Sequence, residues 1–204
     1  MTRRERIGAP AEIEFWFDFA SPYAYMAATR IELLAAARGL QIVWRPFLLG
    51  AVFKRRSANA SAFQEASPAE ARYRRRDVER TCEHAGIALR WPSTYPRGSL
   101  LAARIALVGA SKGWCGPFAR AIYHASFVDD RDIAAEPVVA DILGTLGHEP
   151  APIIAAAISA PGKAALAAQV ERALAKGIFG APTFVIGEEL FWGNDRLEQA
   201  LDWA

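Results

Sequence analysis

A serine that could stabilise an anion stands where a strand-like run meets a helix-like run. Ile13 to Phe17 has apolar side chains at both odd and even positions, which is typical of a strand covered on both faces. Ser21 is a good N-cap, Pro22 is a good first helical residue, and Ala24 to Arg38 is predicted as one helix ended by Gly39. Because a helix N-terminus carries roughly half a positive charge, the Ser21 hydroxyl is placed to help stabilise an anion. The alternative is that Ser21 acts only as a helix cap.

A proline-containing stretch near the end of the chain supplies a second signal. Ala181-Pro182 leads into Thr183 to Ile186, a predicted strand that turns at Gly187-Glu188 into a short partner strand. A proline directly before the third strand, in the order β-α-β then α-β-β-α, is typical of the thioredoxin arrangement, where that proline is cis. We therefore expect Ser21 and Ala181-Pro182 to face each other across one cleft, although neither stretch is specific alone.

The rest of the chain must bring those two stretches together. Gln41 to Phe47 is a second predicted strand, parallel to the first across a βαβ unit. Arg55 to Ala66 is polar and is predicted as an irregular loop. The predicted fold class is α/β, a thioredoxin fold formed by residues 10–50 and 161–204 with an all-helical insertion at 51–160 after the second strand. The predicted helices cover 67–85, 99–111, 116–127, 136–146, 152–159 and 161–176, with a last helix capped by Asn194 or Asp195.

Composition sets limits on partners and location. A chain of 204 residues with a net charge of +2 gives no general reason to expect nucleic acid. No apolar run approaches the roughly 18 residues of a membrane span, and no apolar stretch follows the basic start as in a secretory signal. Cys82 and Cys115 lie 33 positions apart without metal-ligand spacing, which favours free thiols in a reducing compartment. The prediction is a cytoplasmic protein with no metal, nucleic-acid or membrane partner.

Four blocks of sequence resemble the 2-hydroxychromene-2-carboxylate isomerases, which are glutathione-dependent enzymes of the DsbA-like, kappa-class glutathione transferase branch. They cover both ends of the thioredoxin part, while the helical middle matches only in general character. The blocks are Phe17-Asp18-Phe19-x-Ser21-Pro22-Tyr23-x-Tyr25, Trp44 to Lys54, Gly177-x-Phe179-Gly180-x-Pro182-Thr183-Phe184, and Leu190 to Leu197. One departure is Gly98, where family members usually have Asn.

The resemblance implies a glutathione site and a homodimer. Ser21, where disulfide-forming relatives carry their first active cysteine, would donate a hydrogen bond to the glutathione sulfur. Because a free thiol has a pKa of about 8.5, stabilising the thiolate by about 1.4 kcal/mol would lower that pKa by about one unit. The other residues implied in glutathione binding are Lys54, Asn59, Ala181, Pro182, Trp192, Asn194 and Asp195, and those implied in substrate binding are Tyr23, Lys54 and Arg76.

The family reaction interconverts 2-hydroxychromene-2-carboxylate and trans-o-hydroxybenzylidenepyruvate. Reversible conjugate addition of the thiolate to the open-chain enone would permit the rotation. The alternatives are a related unsaturated keto acid as substrate, a kappa-class-like glutathione transferase, or a non-catalytic thioredoxin-like binding protein. A disulfide oxidoreductase is disfavoured because Ser21 cannot form a mixed disulfide and position 24 is Ala24.

Several conspicuous residues have simpler interpretations. Trp114 to Phe118 looks like a redox motif, but it follows a helix instead of a buried strand, so packing explains it better. The basic run Arg72 to Arg80 is predicted as a solvated helix face with near-neighbour ion pairs, or as the source of one arginine, Arg74 or Arg76, that meets an anionic substrate. Asp18 is either a polar strand end or a group that supports Ser21.

Overall fold

The structure is a computed structural model that describes residues 11–56 and 67–204. In chain order the elements are β1 (Glu12–Phe17), α1 (Pro22–Ala28), α2 (Ile31–Ala36), β2 (Gln41–Pro46), α3 (Leu49–Arg56), α4 (Pro68–Ala85), α5 (Leu100–Lys112), α6 (Cys115–Phe127), α7 (Glu136–Thr145), α8 (Pro150–Ile158), α9 (Ala160–Ala175), β3 (Thr183–Ile186), β4 (Glu189–Trp192), a 3₁₀ turn (Asn194–Arg196) and α10 (Leu197–Trp203).

The four strands form one mixed sheet in the order β2-β1-β3-β4. Strand β1 runs parallel to β2, with Phe15 beside Trp44, and antiparallel to β3, with Phe15 beside Phe184. Strand β3 pairs antiparallel with β4. This confirms the predicted thioredoxin topology, with helices α3 to α8 lying between β2 and α9 in the chain.

Strand β1 lies at the centre of the hydrophobic core. Phe15, Trp16 and Phe17 are all fully buried, which is why the strand is apolar on both parities. Phe15 stacks on Phe184, with ring centroids 5.5 Å apart. Helix α6 packs directly on the end of β1, where the Tyr123 ring lies 5.1 Å from that of Phe19. Burial of each such side chain stabilises the fold by roughly 1.5–3 kcal/mol.

Two predicted helix starts show the expected capping. The Ser21 hydroxyl accepts a hydrogen bond from the Ala24 amide. Ser67 and Glu70 form both bonds of a capping box at α4, with Pro68 at the first position of that helix. Four further predicted helices, α5, α6, α7 and α9, have ends within one residue of those observed, and α8 begins two residues early, at Pro150.

The predicted helix from Ala24 to Arg38 is in fact two helices, so the prediction of one element was wrong. Helix α1 ends at Ala28 and α2 begins at Ile31. At the break, the Thr29 hydroxyl donates to the Met26 carbonyl at 2.8 Å, and such back-bonding competes with regular helix hydrogen bonds.

Two other differences lie beside the cleft. Helix α3 was not predicted, and its first amide, that of Leu49, donates to the distant Asp18 carboxylate at 2.7 Å. The expected cap of the last helix was also wrong, because a 3₁₀ turn over Asn194–Arg196 precedes α10. Arg196 is the N-cap of α10, without a side-chain hydrogen bond.

Within residues 11–56 and 67–204, no single helix is long and apolar enough to cross a membrane, whereas α8 and α9 taken together, bent by 63°, meet the same criteria of length and composition. The same residues contain no group of three or more His, Cys, Asp or Glu side chains that could hold a metal ion.

Candidate active site

A cavity of about 660 Å³ opens beside the first turn of α1. Its walls come from both ends of the chain and from the helical insertion. Of the predicted site residues, Ser21, Tyr23, Ala181, Trp192, Asn194 and Asp195 line it. Six other lining residues were not predicted as ligands, namely Leu49, Phe53, Phe179, Gly180, Gly193 and Arg196. Arg74, which was predicted as an alternative to Arg76, also lines the cavity.

Ser21 and the proline loop meet as expected. The Ser21 hydroxyl donates to the Ala181 carbonyl at 2.9 Å, across 160 positions of sequence. The peptide bond between Ala181 and Pro182 is cis. The Ser21 side chain is buried and also accepts from the Ala24 amide at 3.2 Å. One hydroxyl therefore joins the N-terminus of α1 to the loop before β3, at the wall of the cavity.

Asp18 holds the loop that presents Ser21. Its Oδ1 accepts from the Ala20 amide and from the Ser99 hydroxyl, both at 2.9 Å, and its Oδ2 accepts from the Leu49 amide. Its backbone carbonyl accepts from the Ser21 amide at 3.0 Å. Burial raises the pKa of this carboxyl, against the opposing effect of its three donors. Asp18 thus supports Ser21 and also fixes the start of α3, which contributes Leu49 and Phe53 to the cavity.

Tyr23, which also lines the cavity, connects α1 to α4. Its hydroxyl donates to Oδ2 of Asp77 at 2.8 Å. Burial and the adjacent Asp77 carboxylate raise the Tyr23 pKa well above its ordinary value, so the phenol keeps its proton. Arg74, one turn earlier on α4, lines the cavity beside it.

Close packing shapes the cavity wall at the β4–α10 joint. A Cβ on Gly180 would lie 2.0 Å from Nε1 of Trp192, so the indole occupies space that only glycine leaves open. The Trp192 ring meets Phe179 edge to face at 4.7 Å. Gly193 has φ +117°, and its amide donates to the Pro182 carbonyl at 3.0 Å. The indole therefore covers the backbone that leads into the cis peptide bond.

Asn194 and Asp195, the two polar residues of the β4–α10 joint, differ in whether their side chains are accessible to a ligand. Asn194 is buried, and its side-chain carbonyl accepts from the Arg30 guanidinium at 3.0 Å. Asp195 has an exposed side chain, 72% accessible, beside Arg196. Asp195 is therefore the accessible carboxylate at this end of the cavity, while the Asn194 side chain ties Arg30, the N-cap residue of α2, to the joint.

Four predicted ligands are not among the residues that line the cavity: Lys54, Asn59, Arg76 and Pro182, whose carbonyl accepts from the Gly193 amide. Lys54 is exposed on α3. Arg76 is exposed on α4, where it pairs with Glu83 at 2.9 Å and Glu79 at 3.4 Å, and its predicted contact with an anionic substrate stays a prediction. Asn59 lies outside the described residues. Gly98 lies near Ala134, and a Cβ on it would be 3.4 Å from that side chain.

The chain brings no cysteine of its own to this cavity. Its only two cysteines, Cys82 and Cys115, are buried free thiols, and neither is among the residues that line the cavity. Burial raises the pKa of Cys82 to about 11 and that of Cys115 further. Cys115 begins α6, so the motif around Trp114 has the packing role that the sequence favoured.

Comparison with known proteins covers nearly the whole chain. The sequence profile of the DSBA-like thioredoxin domain matches residues 12–202. The chain is 28% identical to the 2-hydroxychromene-2-carboxylate isomerase of Sphingobium xenophagum, over 91% of this chain and 94% of that protein. It is 25% identical to the enzyme of the same name from Pseudomonas putida, over 91% and 90%.

Two solved structures show the same fold. A 2-hydroxychromene-2-carboxylate isomerase superposes with a TM-score of 0.85 at 23% identity, over 94% of this chain and 93% of that one. The cytosolic disulfide reductase DsbM of Pseudomonas aeruginosa, solved with GSH, superposes with a TM-score of 0.64 at 18% identity, over 94% and 95%. Both superpositions include the helical insertion as well as the strands, which confirms the predicted DsbA-like fold.

Proposed function

The chain belongs to the DSBA-like thioredoxin family, and we propose that it is a glutathione-dependent isomerase. Its proposed reaction interconverts 2-hydroxychromene-2-carboxylate and trans-o-hydroxybenzylidenepyruvate, or a related unsaturated keto acid. The curated relatives named as 2-hydroxychromene-2-carboxylate isomerases support the reaction class. One observation supports the cofactor most directly: Ser21 faces Ala181 at 2.9 Å beside a cavity that receives no cysteine from the chain.

A thiol that enters this cavity from outside would meet several groups that favour its ionised form. In the first turn of α1, Pro22 has no amide hydrogen and the Ala24 amide is capped by Ser21, so the helix contributes the Tyr23 amide and its dipole, which favours negative charge there. The Ser21 hydroxyl is a further donor once it turns from the Ala181 carbonyl towards the sulfur. The Ala181 carbonyl and amide would then be available to the cysteinyl backbone of the tripeptide. Asp195 is placed to pair with an ammonium group at the far end.

The proposed chemistry needs no oxidant and no net proton. The cyclic hemiketal first opens: its ring C–O bond breaks, the 2-hydroxyl carbon becomes the keto carbon, and the hydroxyl proton passes to the phenol oxygen, which gives the cis enone. The thiolate adds to the β-carbon of the enone, and the electron pair of the double bond moves to the keto oxygen as an enolate. The former double bond is now single and rotates. The enolate then expels the thiolate, which restores the double bond in the other geometry. Glutathione is regenerated, so it acts as a borrowed nucleophile.

A titration with glutathione tests the proposal. We expect a concentration-dependent rise in the melting temperature, since a ligand bound only by the folded state stabilises it by about 2.7 kcal/mol at 100 times its Kd. Isomerisation should require glutathione and return it unchanged, and S-methylglutathione, which has no ionisable thiol, should not support turnover. Consumption of glutathione with release of a conjugate would instead identify a transferase, and binding without turnover would identify a binding protein. No stabilisation at millimolar glutathione would reject the proposal.

Gly180→Ala should weaken glutathione binding about 10-fold, or about 1.4 kcal/mol. The added methyl group would overlap Nε1 of Trp192 and displace the indole from the cavity wall. Trp192 is 54% exposed and can swing outwards, so the free energy of unfolding should change by less than about 1 kcal/mol. Isothermal titration calorimetry measures the affinity. Gly144→Ala is the matched control, because a Cβ there would meet nothing within 4 Å. Equal affinities for both variants would show that the Trp192 wall does not contribute.

A further inference from the structure

One arginine at the break between α1 and α2 contacts the β4–α10 joint. Arg30 is the N-cap residue of α2, and its Nη2 donates to Oδ1 of Asn194 at 3.0 Å. Its Nη1 lies 3.5 Å from Oε1 of Glu198, in the first turn of α10. Arg30 is not among the residues that line the cavity, whereas Asn194 is. Its route to a ligand in the cavity therefore runs through Asn194.

The bond from Arg30 determines which way the Asn194 amide faces. A guanidinium has donors and no acceptor, so the Asn194 atom next to it must be the carbonyl oxygen and not the NH2 group. Within residues 11–56 and 67–204, no acceptor is paired with Nδ2 of Asn194, which is also not one of the enclosed polar atoms that lack a partner. The NH2 group of this cavity-lining residue is therefore left as a donor for a bound molecule.

Stability alone does not account for an arginine at position 30. Its ion pair with Glu198 is long and that carboxylate is 63% exposed, and such surface pairs contribute little. The Arg30 Nε is buried without a partner among the described residues, which is destabilising. Arg38 makes a closer ion pair with α10, to Asp202 at 2.7 Å. What Arg30 provides in addition is a bond to a residue of the cavity wall.

The oriented amide and its neighbour suit the two charged groups of an α-amino acid. The exposed Asp195 carboxylate would pair with an ammonium group, and the Asn194 NH2 would donate to the carboxylate on the same carbon. An amide already held in one orientation loses little freedom when the ligand binds. The same amide turned round would present its oxygen to the ligand carboxylate and repel it.

We propose that Arg30 is a positioning residue, which holds the Asn194 amide so that Nδ2 donates to the α-carboxylate of the γ-glutamyl group of glutathione. This inference rests on the proposed function, and it adds a residue outside the cavity on which recognition of the tripeptide depends.

Calorimetry with three tripeptides tests the role of Arg30 without turnover. Ophthalmate keeps the γ-glutamyl group of glutathione and has a methyl group in place of the thiol, whereas 4-aminobutanoyl-cysteinylglycine keeps the thiol and lacks only the α-carboxylate. Arg30→Met should weaken glutathione and ophthalmate about 10-fold each and leave the decarboxylated tripeptide within about 2-fold of wild type. Arg30→Lys should retain most of the affinity for glutathione, because an ammonium group also donates and cannot accept.

Two further variants serve as controls. Arg38→Met also removes an ion pair to α10, and the Arg38 side chain has the same 29% exposure as that of Arg30, so all three affinities should stay unchanged. In an Asn194→Ala background, Arg30→Met should cause no further loss, because the group through which it acts is absent. Equal losses for glutathione and the decarboxylated tripeptide in Arg30→Met, or a further 10-fold loss in the Asn194→Ala background, would overturn the role. If Arg30→Met does not fold, Arg30→Gln decides by the same ratio, since a glutamine lets the Asn194 amide face either way.

The proposed reaction and the role of Arg30 fail in different ways. If the tripeptides follow the expected pattern and no isomerisation is detected, the reaction is wrong and the role of Arg30 stands. If glutathione supports isomerisation while Arg30→Met binds all three tripeptides as Arg38→Met does, the role of Arg30 alone is overturned. If the wild-type protein binds neither glutathione nor ophthalmate, both are overturned.

Discussion

Ser21→Ala is expected to slow glutathione-dependent isomerisation about 10- to 100-fold at neutral pH. The methyl group cannot donate to the sulfur, so the pKa of the bound thiol rises, and each unit of rise lowers the thiolate fraction about 10-fold. Glutathione should still bind with an affinity within about 3-fold of wild type, because the α1 amides, Ala181 and the β4–α10 joint remain. Ultraviolet absorbance of the bound thiolate measures the pKa directly.

The pH dependence of the rate shows whether the deficit in Ser21→Ala comes from a smaller thiolate fraction. Because the loss lies in the thiolate fraction, the rate of Ser21→Ala should approach that of wild type as the pH rises above the pKa of the bound thiol. Ser21→Thr keeps a hydroxyl and a cap, so it should retain most of the rate. Ser67→Ala is the matched control, since it removes a comparable helix cap at α4, away from the cavity, and costs about 1 kcal/mol of stability. A deficit in Ser21→Ala that persists at high pH would argue against the donor role.

Asp18→Ala is expected to destabilise the fold by about 3 to 5 kcal/mol and to lower the rate of isomerisation as well. The substitution leaves three buried donors without their acceptor: the Ala20 amide, the Leu49 amide and the Ser99 hydroxyl. The loop bearing Ser21 and the first turn of α3 then lose their common support. Chemical denaturation measures the free energy of unfolding, and kinetics at a temperature where the variant is folded measure the rate.

Two control variants separate an effect of Asp18 on the stability of the fold from an effect on the position of Ser21. Asp130→Ala also removes an acceptor of backbone and side-chain bonds, from Ser93 and Arg97, but Asp130 is not among the residues that line the cavity, so the variant should lower stability and leave the rate of the folded protein unchanged. Asp18→Asn keeps an acceptor for Ala20 but presents an amide to the Leu49 amide, so it should cost about 1–3 kcal/mol. If Asp130→Ala and Asp18→Ala reduced the rate equally, Asp18 would not be a positioning residue.

The raised pKa of Asp18 predicts a pH dependence of the free energy of unfolding. The folded state binds the proton more readily than the unfolded chain, whose Asp has the ordinary value of about 3.8. The free energy of unfolding of wild type, relative to Asp18→Asn, should therefore increase as the pH falls from neutral through the raised pKa towards 3.8. Denaturation curves of both proteins across that window measure the difference. A constant difference would mean that burial does not dominate the ionisation of Asp18.

Much of the framework was predictable because its signals are local. An apolar run on both parities predicts a doubly covered strand, and β1 is such a strand. The Ser21 cap and the Ser67 capping box each depend on residues within three positions of the serine, and the structure contains the hydrogen bonds of both caps. The proline before β3 predicted the loop that Ser21 would face. Each of these follows from the conformational preferences of a few consecutive residues.

What the sequence could not determine depended on contacts between distant residues. Helix α3 begins where Asp18, thirty-one positions earlier, accepts its first amide. Arg74 reaches the cavity and Arg76 does not, because the orientation of α4 is set partly by the Tyr23–Asp77 hydrogen bond across 54 positions.

The same distinction between local signals and distant contacts applies to the candidate site. The sequence by itself determined which residue types stand at the start of α1 and before β3. Only the tertiary structure decided that the Ser21 proton goes to the Ala181 carbonyl, that Arg30 engages Asn194, and that Trp192 fills the space beside Gly180. Side-chain partners of this kind are chosen by the packing of elements far apart in the chain, and no periodicity or capping pattern encodes that packing.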